Sequence, residues 1–329
     1  MKSRDMSLDL MRILACLAVI TIHTAGTGLL PGRDYPLLSF EWMTCYIYRS
    51  VSSWAVPLFV MITGSIFLDP SKEYSITKLF KNNILKLIVV LIVWSAFYTY
   101  FANGTFFPLG LASGHLWYLS MIVGLYLTIP IIRILPNKIK DYFLIIWFIF
   151  LIYDFISKIS NVNILQEIEH YFFTGYVGYL LLGDWSRRIK DNTKFYFTSI
   201  LSAVVLLIIS VFVSIYISKL HNETILSISH YFSPITVILS VGIYFACGIL
   251  SAKLTGFNKL ESILKNISAS TLGIYLIHMF LLIQGYTRVI RFVPNPIIFI
   301  PLIVFGVFVI GWIITIVLRK IPYAGKYIV

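Results

Sequence analysis

Charge is scarce in this chain. Only 12% of its 329 residues are Asp, Glu, Lys or Arg, about half the share of an ordinary soluble domain, while 59% are hydrophobic and the mean hydropathy is +0.88. That balance excludes a soluble globular domain and predicts a polytopic membrane protein. Cysteine is equally sparse. Cys16, Cys45 and Cys247 lie in separate apolar segments, with neither the spacing of a disulfide framework nor that of a metal site, and read as buried, inert thiols. No HExxH, Walker loop, Gly-x-Ser-x-Gly elbow or strand-borne GxGxxG occurs, so zinc hydrolysis, P-loop chemistry and α/β-hydrolase chemistry are set aside and no metal is expected. Gly/Ser linkers, low-complexity tracts and evident internal repeats are also missing, and residues 1–329 read as one membrane domain.

What the chain has is long apolar runs. They predict an all-α bundle of about ten membrane spans, near 7–30, 42–68, 80–101, 115–135, 140–157, 170–184, 195–218, 230–252, 269–287 and 297–318. The net charge of +12 follows the loops instead of forming the basic patch of a nucleic-acid binder. With the amino terminus inside, eighteen basic residues fall in cytoplasmic segments: Lys2/Arg4, Lys72/Lys78/Lys81, Arg133/Lys138/Lys140, Arg187/Arg188/Lys190/Lys194, Lys253/Lys259/Lys265 and Arg319/Lys320/Lys326. Six fall outside, namely Arg33, Arg49, Lys158, Lys219, Arg288 and Arg291, and Arg12 and Lys86 lie within span ends. The asymmetry predicts both termini in the cytoplasm and a multi-pass protein of the cytoplasmic membrane. A cleaved leader is not expected, because Arg12 interrupts the apolar core that such a leader needs and no A-x-A site follows.

The first span holds the most informative pair. Arg12 and His23 are eleven steps apart, which at about 100° and 1.5 Å per residue places both on one helix face, separated by roughly 16 Å. Ionisable groups inside a membrane are costly and mark functional sites by default, although a snorkelling Arg and an interfacial His are the plain alternative. In the inferred topology, Arg12 sits toward the cytoplasm, suited to a phosphate, and His23 toward the outer face, suited to proton transfer. Asp9, three residues earlier, shares the side and orients the guanidinium or forms a simple local ion pair.

These residues resemble the acyltransferase 3 family of bacterial integral-membrane enzymes, which move acyl groups from acyl-CoA to extracytoplasmic sugars and related acceptors. The family signature of an acidic residue, an Arg, ten residues and a His reads here Asp9, Arg12 and His23. VPLFVMITGSIF in the second span is similar to the family's apolar run, with Thr63 where Ser is more usual. HLWYL at His115 to Leu119 and STLGIYLIH at Ser270 to His278 also look like family elements. The resemblance implies a membrane O-acyltransferase with acetyl-CoA, or another acyl-CoA, as donor and a surface glycan or lipid-linked glycan as acceptor.

On that footing His23 is the catalytic base, and Arg12, Lys81, Lys86 and Arg133 are the candidate ligands of the CoA phosphates. Lys81 and Lys86 lie in KLFKNNILKL, where positive-inside charge is the competing explanation. His115, Trp117 and Tyr118 are the candidate acceptor contacts, with an aromatic interfacial belt as the alternative. Glu41 either orients His23 or is a solvated acid; His278 reads as a buried, hydrogen-bonded residue or a tunnel wall, and His170, His221 and His230 as loop or interface residues. The rival function is a transporter or flippase of a small polar solute or polysaccharide precursor, and a partner-binding scaffold is a third reading.

Overall fold

The computed structural model describes residues 5–26, 35–106, 114–160, 175–189, 193–224, 230–289, 295–322 and 325. Lys2, Arg4, Arg33, His170, Lys190, Arg291 and Lys326 lie outside the described residues, as do the ends of several expected spans. Helices account for all the regular structure among the described residues: α1 (Met6–Ala25), α2 (Phe40–Val51), α3 (Ala55–Phe67), the short α4 (Ile76–Lys78), α5 (Leu85–Asn103), α6 (Trp117–Ile134), α7 (Asn137–Ser160), α8 (Val177–Arg188), α9 (Thr193–His221), α10 (Pro234–Leu254), α11 (Asn258–Val289) and α12 (Pro296–Arg319). A π-helical segment, Leu79–Ile84, joins α4 to α5, and a 3₁₀ turn, Gly114–Leu116, leads into α6.

Each expected span overlaps a helix, and the protein is an all-α polytopic bundle. Eight helical stretches among the described residues are long and apolar enough to cross a bilayer. The two others are α7, which carries Lys138, Lys140, Asp141 and Asp154, and the twelve-residue α8. The run 42–68 is not one helix. It breaks at residues 52–54, where α2 ends at Val51 and α3 starts after Trp54. The apolar run masks this break because hydropathy is blind to backbone direction.

Helix starts follow ordinary capping chemistry. Ser39 caps α2, while Ser233 and Asn295 cap α10 and α12, each followed by a proline in the first turn, where no amide partner is lost. Packing centres on α1, which touches α2, α3, α10, α11 and α12. Among the described residues α3 and α8 pack backbone against backbone. A Cβ on Gly64 would lie 1.8 Å from the Leu180 carbonyl oxygen, and one on Gly183 would lie 2.0 Å from that of Met61, so only glycine lets these backbones meet. Ser65 Oγ donates to the Gly183 carbonyl at 2.8 Å and locks the contact. At the periphery, α9 turns Phe197, Leu201, Ile208 and Phe212 outward as an apolar face suited to lipid.

The end of the bundle that carries Arg12 also carries a charged cluster. Asp184 is fully buried and meets Lys140 Nζ at 3.3 Å, Arg187 Nη2 at 2.7 Å and Arg188 Nε at 3.3 Å. Arg187 Nη1 reaches Asp69 at 3.4 Å, and Arg188 pairs with Asp141. Asp184 thereby draws α7 and α8 together, and Arg187 joins them to the turn after α3. Asp69, in the turn after α3, is raised by burial, but the Ser71 amide and hydroxyl and the charges of Arg187 and Lys72 outweigh this and hold its carboxyl below the ordinary value.

Candidate active site

The α1 helix sets the site. Asp9, Arg12, Cys16, Val19 and His23 recur at three- and four-residue intervals, so one stripe carries them along the helix. Asp9 is buried, accepts the Ser268 hydroxyl of α11 at 2.6 Å and meets Arg12 Nη1 at 3.3 Å. The carboxylate thus fastens the root of the Arg12 guanidinium to a second helix. Cys16 is buried, and its thiol faces the Thr271 carbonyl at 3.8 Å.

Three cavities follow that stripe. The first, about 1440 Å³, opens at the Arg12 end, with Arg12, Lys72, Arg187 and Lys253 as its basic wall and Tyr196 and Tyr244 among its aromatic lining. The second, about 360 Å³, is mainly apolar and shares Arg12 and Ile66 with the first. Its wall includes Thr63 and Asn83, and ends at Val19, Val56, Tyr118 and Tyr275. Those last four residues also line the third cavity, of only about 10 Å³, together with His23, His115, Trp117 and Tyr231. Arg12 and His23 therefore stand at the two ends of one series of cavities.

At the His23 end, three imidazoles converge from α1, the 3₁₀ turn and α11. The His278 ring lies 5.2 Å, centre to centre, from both His23 and His115. His278 and His115 are buried and His23 is partly exposed. Nδ1 of His278 bonds the Tyr275 carbonyl in its own helix, and the His115 side chain bonds the Leu276 carbonyl. Tyr275 Oη in turn donates to the His115 carbonyl. From α5, Tyr98 Oη donates to the Leu276 carbonyl at 2.7 Å and accepts the Phe280 amide at 3.2 Å. One hydroxyl thus holds both groups that a regular helix pairs with each other, and fixes the turn that bears His278. Among the described residues, no group of three or more His, Cys, Asp or Glu side chains is arranged to hold a metal ion.

The structure places the remaining sequence candidates as follows. Trp117 lies against Tyr176 and Tyr231, with ring centres 5.8 and 6.1 Å away, and Tyr118 lies against Tyr275 at 5.4 Å. Both line the His23 cavity with His115, so the three acceptor candidates come together there. Arg133 is directed elsewhere. Its guanidinium donates to the Phe67 carbonyl and, at 2.8 Å, to the Lys72 carbonyl, and it lies 4.8 Å from the centre of the Tyr74 ring. It therefore braces the loop from which Lys72 reaches the first cavity. Lys81 is exposed on the π-helical segment, Lys86 is half-buried, and neither is among the residues lining the three cavities.

Sequence reasoning missed Ser268, Tyr98, Tyr231 and the wall made by Lys72, Arg187 and Lys253. Tyr275 had a readable signal, because it stands three residues before His278 and so shares its helix face. Glu41 opens α2, whereas Arg49, in the last turn of the same helix, is the residue whose charge reaches His23. His221 ends α9 and His230 lies just before α10.

No curated protein and no solved structure matches the chain. A family model described as an acyltransferase domain does match, over residues 6–316, a stretch that contains the whole α1 stripe, the three imidazoles and nearly all of the residues lining the three cavities. The chain is a multi-pass membrane protein and belongs to the acyltransferase 3 family.

Proposed function

We propose that this protein takes an acetyl group from cytoplasmic acetyl-CoA and transfers it to a hydroxyl of a surface glycan or lipid-linked glycan on the outer face of the cytoplasmic membrane. The observation that carries this reading is the series of cavities joining Arg12 to His23. Its wide basic end suits the phosphates of a nucleotide, its apolar middle suits an extended pantetheine arm, and its narrow end sets His23 just beyond the reach of that arm, so that the chamber beside His23 has to widen to admit the acyl group.

Arg12, held by Asp9, contributes a planar fork for phosphate oxygens, and Lys72, Arg187 and Lys253 add positive charge around it. The exposed Lys81 and the half-buried Lys86 attract the anionic donor toward this mouth without lining it. At the far end His23 accepts the proton of the acceptor hydroxyl as its oxygen attacks the thioester carbonyl. The new C–O bond forms, the C–S bond breaks, and the leaving thiolate takes that proton from His23. Trp117 and Tyr118 offer ring faces and His115 a polar edge to the incoming sugar.

The reading is tested on cells lacking the gene, complemented with the native protein or with an equally expressed His23→Ala protein. Ester-linked acetate on surface glycans should return with the native chain alone; identical acetate in all three strains overturns the glycan assignment. A second test addresses the passage. Val56 stands where the second and third cavities meet, so Val56→Phe should block thioester turnover while leaving acetyl-CoA bound. Unchanged turnover would remove the passage from the mechanism.

A further inference from the structure

His278 is the one imidazole of the cluster whose role the acyl-transfer reading leaves unused. It is fully buried, and its Nδ1 is committed to the Tyr275 carbonyl. A carbonyl can only accept, so the ring proton sits on Nδ1 and Nε2 presents a lone pair. That Nε2 is buried and has no hydrogen-bond partner among the described residues. A buried acceptor left in this condition costs free energy and calls for a donor.

Two neighbouring rings lie at the same distance. The His115 side chain already bonds the Leu276 carbonyl, so its ring proton is spent in the same way as that of His278. His23 remains the ring with an N–H to give; the two rings are not bonded in this structure, but at a centre-to-centre separation of 5.2 Å a turn of the His23 ring brings one of its nitrogens within hydrogen-bonding range of that Nε2. Its partial exposure to the cavity leaves the opposite nitrogen turned toward substrate.

We propose that His278 is a positioning residue for His23: its Nε2 lone pair accepts the His23 N–H, fixes the His23 tautomer and aims the other nitrogen at the acceptor hydroxyl. A carboxylate usually fills this orienting place beside a catalytic imidazole. Here a neutral imidazole, anchored through Tyr275 and held in place by Tyr98, does so without burying another charge in the membrane. When His23 takes the acceptor proton, the same bond spreads the positive charge toward His278, and no net proton leaves His23 until the thiolate collects it.

The kinetic part of this inference rests on the acyl-transfer reading, but its structural part does not, and the two are separated by experiment. The full chain, carrying ¹⁵N-labelled histidine in lipid nanodiscs, is examined by NMR, with the His23 signals assigned by their loss in His23→Ala. The native protein should show one His23 tautomer and a through-bond N–H···N coupling to His278. His278→Asn, whose amide is too short to reach the Nε2 position, should give a mixture of His23 tautomers; His278→Gln, which places an oxygen there, should keep one. Thioester turnover from acetyl-CoA should fall roughly tenfold in the Asn variant and recover in the Gln variant, with KM for acetyl-CoA unchanged in both. An absent coupling in the native chain, or an unchanged His23 tautomer in His278→Asn, overturns the proposal. If the Asn variant fails to fold, the native coupling decides alone. Coupling present without turnover would sustain this proposal and count only against acyl transfer.

Discussion

Two polar clusters are buried in this apolar bundle, and they are built on opposite plans. Around Asp184 the groups are charged and close on one another: Lys140, Arg187 and Arg188 meet one carboxylate, and Asp69 and Asp141 meet the outer sides of the arginines. Around His278 the groups are imidazoles and phenols, and much of their hydrogen bonding goes to helix carbonyls, which leaves a ring nitrogen facing inward. In the first arrangement each carboxylate meets a cation, and the cluster ties three helices together. The second is incomplete and stands where the cavities end. In a low-dielectric interior a cluster of paired charges holds structure, whereas a cluster of neutral imidazoles can exchange a proton with a reactant without stranding a charge.

Substitution in each cluster separates the two roles, and His23→Ala should have the largest effect. It should lower transfer by roughly 10²- to 10⁴-fold, the usual contribution of a general base, with the melting temperature of the purified protein unchanged. Asp184→Ala should show the reverse pattern, losing about 3–5 kcal/mol of stability because it strands buried cations, while turnover per folded molecule stays within about threefold. A His23→Ala protein that melts early, or an Asp184→Ala protein that melts normally, would break the distinction.

Smaller effects sharpen it. Arg12→Ala should weaken acetyl-CoA binding by about 1.5–3 kcal/mol, the value of a hydrogen bond to a charged group, and should alter KM more than kcat. Titration calorimetry with acetyl-CoA reads this directly, and unchanged affinity would remove Arg12 from the donor site. The smallest expected effect belongs to Asp69. Its carboxyl lies below the ordinary value, so its contribution to stability is complete above that value and disappears as the pH falls through the folded-state value. Asp69→Asn should therefore lower the melting temperature modestly at neutral pH and make no difference once the pH has fallen below the folded-state value, which flattens the acid limb of the plot of melting temperature against pH.

The sequence made some of this legible and hid the rest for physical reasons. Helix periodicity is local, so the shared face of Asp9, Arg12 and His23 was readable from spacing alone. The runs of apolar residues located the helices, because each must cover its own backbone in lipid. Neither signal carries information about which helices meet. Asp9 with Ser268, and His23 with His115 and His278, are pairings across long stretches of chain that only packing brings about. Arg187 and Lys140 read as loop charges that set topology, and Asp184 turns both inward. Arg133 shows a further limit: a basic residue at the correct end of a span looks the same in sequence whether it reaches a ligand or, as here, the carbonyls of a neighbouring loop.

The small chamber beside His23 has a consequence for the membrane itself. If the cavities carry a donor from one side of the membrane toward an acceptor on the other, as proposed, they run the risk of short-circuiting the bilayer, across which each elementary charge is worth about 2.3 kcal/mol per 100 mV. At about 10 Å³ the chamber is near the lower limit for holding one water molecule. A file of waters able to conduct protons does not fit there, and Val19, Val56, Tyr118 and Tyr275 separate it from the wider cavity below. On the acyl-transfer reading, the constriction therefore limits the proton leak that an open passage would allow.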